Sequence, residues 1–244
     1  MQKLHLPAIA VHPDDIELGC AGTLIKHVEK GQNVGILDLT QGELGTRGTP
    51  QLRLQEAYDA AKAMGITIRE NLGMRDGFFR NDEEHQLQLI PYIRKYQPDI
   101  VLANALEDRH PDHGRAGKLI ADACFLAGLS KIKTSLDGVA QKAWRPKRVF
   151  HMIQDRMLAP DFLVDISSVF GKKMEAIKCY KSQFHDPASN EPATYIATQD
   201  FLEQIKYRDA LMGKRIGTKY AEGFVSLNTP GIDDLDSLLL PEIA

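Results

Sequence analysis

Two four-residue runs in this chain concentrate the groups that metal and acid–base chemistry need, His12-Pro-Asp-Asp15 and His110-Pro-Asp-His113. Between them they carry His12, Asp14, Asp15, His110, Asp112 and His113. Imidazole nitrogens and carboxylate oxygens are the donors of a catalytic zinc site, in which three protein groups hold the ion and a further position stays open for water. Each run alone has a plainer explanation, because Asp and Pro are favoured at helix N-termini for backbone reasons. Two of them at one place do not. The remaining histidines, His5, His27, His85, His151 and His185, stand singly and read as structural or solvated residues.

The surrounding elements bring the runs together. Short β-rich stretches at 4–11, 34–39, 67–72, 99–104 and 148–152 alternate with amphipathic stretches at 17–30, 50–64, 83–96 and 112–126. That alternation predicts an α/β fold of doubly wound, Rossmann-like type, a mostly parallel sheet with helices on both faces. Thr49 and Pro50 supply the N-cap and first position of the second helix. Each His-containing run follows a strand, the first and the fourth. In such sheets these strands are neighbours where the strand order reverses, and ligands bind there, outside the carboxyl ends. Later helices are predicted at 172–182 and 201–213, separated by a polar stretch at 185–199 that reads as a mobile loop or lid. The acidic tail, 231–244, reads as a peripheral arm.

Composition narrows the function class. A chain of 244 residues, 43% hydrophobic and 26% charged, suits one α/β domain over 1–244. A net charge of −3 offers no basic surplus for nucleic acid or an anionic membrane, which points to a small-molecule substrate. No apolar run reaches the roughly 18 residues that span a bilayer, and residues 1–7 lack the pattern of a signal peptide, so a cytoplasmic enzyme is expected. Cys20, Cys124 and Cys179 are far apart and fall in helix-like stretches, which argues against disulfides and a cysteine zinc site.

At the two runs the sequence resembles the LmbE/PIG-L family of zinc-dependent N-acetylglucosaminide deacetylases. The likeness extends through Thr40-Gln-Gly-Glu43-Leu-Gly-Thr, Leu52-Arg53 with Glu56-Ala57, Met74-Arg-Asp76-Gly, Glu107-Asp-Arg-His110 and Tyr220-Ala-Glu-Gly-Phe224. The Glu107–His113 run and the Tyr220–Phe224 ending most resemble the bacillithiol-pathway branch, which deacetylates N-acetylglucosaminyl-malate. Other members act on mycothiol precursors, chito-oligosaccharides or glycosylphosphatidylinositol precursors with the same core motifs. The resemblance implies His12, Asp15 and His113 as ligands of one zinc, or of Fe2+ in the cell, with Asp14 as general base and His110 reserved for the transition state. It places Arg53 and Asp76 on the sugar, with Glu43 in a matching loop. It also favours a homo-oligomer.

On that footing Asp14 takes a proton from water and returns it to the departing amine, and His110, as an imidazolium, stabilises the oxyanion. Asp112 either orients His110 or caps the following helix. Arg53 either forks onto sugar hydroxyls or a carboxylate, or is a solvated helix charge. Arg109 either reaches malyl carboxylates or is a surface charge. Two other classes compete. A nucleotide-binding domain shares the layout, but Gly19-Cys-Ala-Gly22 lies inside a helix and makes no G-x-G-x-x-G turn. A non-catalytic zinc protein would have no need of Asp14 as an unbound carboxylate.

Overall fold

The computed structural model describes residues 3–185 and 189–240. Its first half is β1 (Leu6–Ala10), α1 (Asp15–Glu29), β2 (Val34–Thr40), α2 (Pro50–Ala63), β3 (Ile68–Met74), α3 (Glu83–Tyr96), β4 (Ile100–Ala103) and α4 (Pro111–Ala127). The second half adds a small hairpin, β5 (Ser135–Leu136) with β6 (Val139–Ala140), then β7 (Arg148–Met152), β8 (Phe162–Asp165), α5 (Phe170–Ile177), α6 (Phe201–Arg215) and β9 (Ala221–Ser226). Period-two alternation explains the layers. Leu6, Ala8 and Ala10 of β1 join a core with α1, α2, α5 and α6, whereas Ile9 joins a second core with α3 and α4.

The large sheet runs β3-β2-β1-β4-β7-β9-β8. β1 pairs parallel with both β2 and β4. The chain therefore winds one way from β1 to β3 and the other way from β4 to β7, and the reversal lies between β1 and β4, as the sequence predicts. The five expected strands form the parallel part of the sheet.

β8 and β9 do not stand out in the sequence. They close one edge antiparallel to their neighbours. β9 contains Gly223 and Glu222, which interrupt an apolar strand pattern, yet Glu222 is buried. Its carboxylate accepts the backbone N–H groups of Gly22 (2.9 Å) and Thr23 (2.7 Å) in α1. Lys173 in α5 neutralises it at 2.9 Å and reaches Asp209 of α6 at 2.6 Å. The Tyr220–Phe224 ending thus fastens the helix that follows the first His-containing run.

Gly19 and Gly22 serve the same packing. A Cβ on Gly19 would lie 2.5 Å from Met152 Sδ, and one on Gly22 would lie 2.7 Å from Ile166, so only glycine lets α1 approach this closely. The helix expected at 172–182 ends at Ile177. Beyond it Tyr180 turns inward to Glu17 (3.1 Å) and the Ser182 N–H to Glu56 (2.7 Å), which leaves Cys179 outside the helix. In the 185–199 stretch, residues 186–188 lie outside the described residues, and 189–199 forms no helix or strand. Arg47 anchors it through Ser189 Oγ and the Pro192 carbonyl, both at 3.1 Å. Among its described residues the tail holds one 3-10 turn, Leu235–Leu238, and residues 231–240 are exposed. Among the described residues no helix is long and apolar enough to cross a membrane.

Candidate metal and active site

The two runs meet at the carboxyl ends of β1 and β4. The ring centroids of His12, His110 and His113 lie 4.8, 5.2 and 5.7 Å apart, and each imidazole offers a nitrogen within 4.8 Å of the others. Asp15 stands between two of them, with one oxygen 3.0 Å from His113 Nε2 and the other 3.7 Å from His12 Nδ1. The sheet itself holds this carboxylate. It accepts the His12 backbone N–H and the side-chain amides of Asn104 and Gln154, each at 3.0 Å. Burial raises the pKa of Asp15, but His113 and His12 outweigh it and hold the group well below the usual carboxylate range.

The far nitrogen of each flanking imidazole is held by another carboxylate. His12 Nε2 meets Asp76 at 3.0 Å and Asp112 at 3.7 Å, which leaves Nδ1 facing Asp15. His113 Nδ1 is bonded to Asp108, which leaves Nε2 facing Asp15. Carboxylate–imidazole pairs of this kind fix the tautomer and orientation of metal ligands. Burial lowers the pKa of both rings, yet these carboxylates reverse the sign and hold His12 at about 9 and His113 at about 10. A divalent cation entering between them must displace those protons.

Asp14 occupies the N-cap position of α1 but makes no capping bond. Its φ of 113° lies in the left-handed region that side chains seldom adopt, a form of strain found at functional sites. The carboxylate turns instead to Arg53 Nη2 at 2.7 Å. Burial lifts its pKa, Arg53 opposes the rise and Asp15 adds to it, leaving Asp14 at about 6. Arg53 also donates to the carbonyls of Pro13 (3.3 Å) and Gly42 (3.4 Å), so this buried guanidinium supports the base rather than lying in solvent.

The other residues singled out in the sequence surround this cluster. His110 is the N-cap of α4, and its Nδ1 accepts the backbone N–H of Asp112 at 3.3 Å. Burial, then the charges of His12 and His113, pull His110 below its ordinary pKa. The Asp112 carboxylate does not orient His110 and does not cap the helix. It faces His12, the Gly77 N–H (2.9 Å) and Arg115 (2.8 Å). Asp76 is turned to His12 and to the Leu44 N–H at 3.1 Å. Glu43 accepts the Asp76 N–H at 2.7 Å, a contact that positions the loop carrying Asp76. Arg109 lies at the rim, paired with Asp155 at 2.7 Å and stacked on Tyr195.

Sequence reasoning does not single out Asp108, Asn104 and Gln154. Asn104 follows β4 directly and Gln154 lies just beyond β7, so both sit at the strand ends where a ligand is expected. Asp108 lies within the Glu107–His113 run, five residues before its partner His113. His12, Asp14, Asp15, Asp108, His110, His113 and Gln154 open onto one cavity of about 730 Å³.

The PIG-L family, described as GlcNAc-PI de-N-acetylase, matches residues 8–124. The structure of a conserved protein from Thermus thermophilus superposes with a TM-score of 0.83 at 36% identity, over 94% of this chain and 97% of that one. A diacetylchitobiose deacetylase of Thermococcus kodakarensis is 29% identical over 88% of this chain and 80% of its own length. A probable N-acetyl-alpha-D-glucosaminyl L-malate deacetylase 2 of Bacillus subtilis is 27% identical over 74% of this chain and 84% of its own. With the paired runs at the strand reversal and the fold shared throughout, the chain belongs to the PIG-L/LmbE family of deacetylases.

Proposed function

We propose that this chain hydrolyses the N-acetyl group of an N-acetylglucosaminide, with one divalent cation, zinc or Fe2+, held by His12, Asp15 and His113. One observation carries this reading. Asp15 stands between His12 Nδ1 and His113 Nε2, and carboxylates occupy the opposite nitrogens of both rings. That mixed nitrogen and oxygen donor set suits zinc, and its surplus of negative charge calls for a cation. His110 is the weaker candidate for the third ligand, because its Nδ1 is already bonded to the α4 backbone.

When bound, zinc supplies Lewis-acid polarisation of the acetyl carbonyl and lowers the pKa of water to about 7. The protein's own groups do the rest. Asp14, ionised above about pH 6, takes the proton of the attacking water and delivers it to the amine as the carbon–nitrogen bond breaks. Arg53 holds Asp14 in place. His110, with Nδ1 accepting from the backbone, carries its proton on Nε2 and donates a neutral N–H to the developing oxyanion.

Acetate release from N-acetylglucosamine, N,N′-diacetylchitobiose and N-acetylglucosaminyl-malate, measured before and after chelation and with zinc restored, tests the assignment. Zinc-dependent release from at least one is expected. No release from any with stoichiometric zinc present would overturn it. The malate conjugate is the finer reading that the Bacillus subtilis relative supports, while the pairing of Arg109 with Asp155 at the rim counts against it.

A further inference from the structure

The floor of the cavity is polar, but its mouth is not. Met157, Tyr207 and Leu211 line the opening and are 53%, 67% and 54% exposed. Leu44 and Tyr195 complete the ring, also largely exposed. These side chains come from separate segments: the loop after β2, the loop after β7, the stretch before α6, and α6 itself. One exposed leucine needs no explanation, whereas five large apolar groups around one opening mark a place where something apolar binds.

The cations of the same wall are engaged with the protein. Arg47 donates to the Ser182 carbonyl at 2.8 Å, and Arg208 donates to the carbonyls of Gln154 and Leu18, both at 2.6 Å. Arg53 belongs to Asp14. Arg109 shares its charge with Asp155 and lies flat on Tyr195, 4.1 Å from the ring centroid. A dianionic group at the mouth would meet Asp155 beside Arg109, and every other cation of the described lining already has a protein acceptor.

The reaction fixes what reaches the mouth. The acetyl group must lie against the His12–Asp15–His113 cluster and Asp14, the sugar fills the space above, and the aglycone is left at the rim. We propose that this rim is an aglycone subsite for an uncharged alkyl or aryl group, so that the preferred substrates are apolar glycosides of N-acetylglucosamine. This rests on the deacetylase reading above and selects within it against the malate conjugate.

The test compares kcat/KM of the zinc-loaded protein for methyl, octyl and 4-nitrophenyl glycosides of N-acetylglucosamine and for N-acetylglucosaminyl-malate. The octyl and nitrophenyl glycosides should exceed the methyl glycoside by about tenfold or more, since each buried methylene contributes up to about fourfold. The gain should lie mainly in KM, because contacts remote from the amide bind ground state and transition state alike. In Leu211→Ser and Met157→Ser, both at exposed positions the fold tolerates, the octyl-to-methyl ratio should shrink. Equal kcat/KM for methyl and octyl glycosides, or preference for the malate conjugate, would overturn the subsite while leaving the deacetylase reading standing. So would an unchanged ratio in Leu211→Ser accompanied by dissociation of an oligomer in sedimentation, which would give the rim to a second copy of the chain. Hydrolysis of none of these glycosides, nor of N-acetylglucosamine or N,N′-diacetylchitobiose, would instead bring down the deacetylase reading itself.

Discussion

Two buried ionic clusters flank α1, and they are built on opposite principles. Around Lys173 the protein supplies both signs. Lys173 and Arg208 face Asp209 and Glu222, and the backbone N–H and hydroxyl of Thr23 donate to the remaining oxygen of Glu222. Around His12 and His113, among the described residues, the carboxylates of Asp14, Asp15, Asp76, Asp108 and Asp112 face only two guanidiniums, Arg53 and Arg115. The imidazoles are driven toward protonation to make up the difference. A closed network fastens elements, whereas an unbalanced one, held on rigid strand ends, is a receptor for a cation. Only the second cluster carries a strained backbone, at Asp14.

The sharpest break of this contrast removes a donor from the unbalanced cluster. His12→Ala and His113→Ala should each lose metal and turnover together, since three ligands leave none to spare; elemental analysis of the folded variants reads the first and acetate release the second. A stoichiometric zinc retained in both would reassign the ligands, most directly to His110.

Next in size is Asp14→Asn, which keeps shape and strain tolerance but removes the proton acceptor. Turnover should fall by roughly 10²–10⁴ while zinc stays bound. In the parent protein kcat/KM should rise as pH climbs through about 6, because burial delays ionisation of Asp14, and this acidic limb should vanish in the variant. The limb is macroscopic, since Asp14 and Asp15 titrate as neighbours. Near-normal turnover with full zinc would remove Asp14 from the mechanism.

His110→Ala should cost about 10²–10³ in kcat with the metal retained, the usual loss of one oxyanion donor. A metal-free variant would place His110 among the ligands.

The smallest effect on chemistry belongs to the balanced cluster. Lys173→Met leaves Asp209 and Glu222 buried without their cation and should destabilise the fold by about 3–5 kcal/mol in urea unfolding. Zinc content and kcat of the folded fraction should hold. Loss of metal from a folded Lys173→Met protein would erase the distinction between the two clusters.

The sequence determined the parallel half of the sheet and the meeting of the two runs, because period-two and helical patterning are local and strand order at a reversal follows from handedness. It also drew attention to Asp14, Asp15 and the paired histidines, whose types and spacing are chemical in themselves. It did not show that Asp76 and Asp112 both turn to His12, or that Arg53 and Glu43 support protein groups. Nor did it mark β9, whose buried Glu222 looks like a surface residue until Lys173 of α5 stands beside it. Those choices belong to the tertiary structure, because the direction of a charged side chain is set by which opposite charge burial leaves within reach, and that partner here lies tens of residues away along the chain.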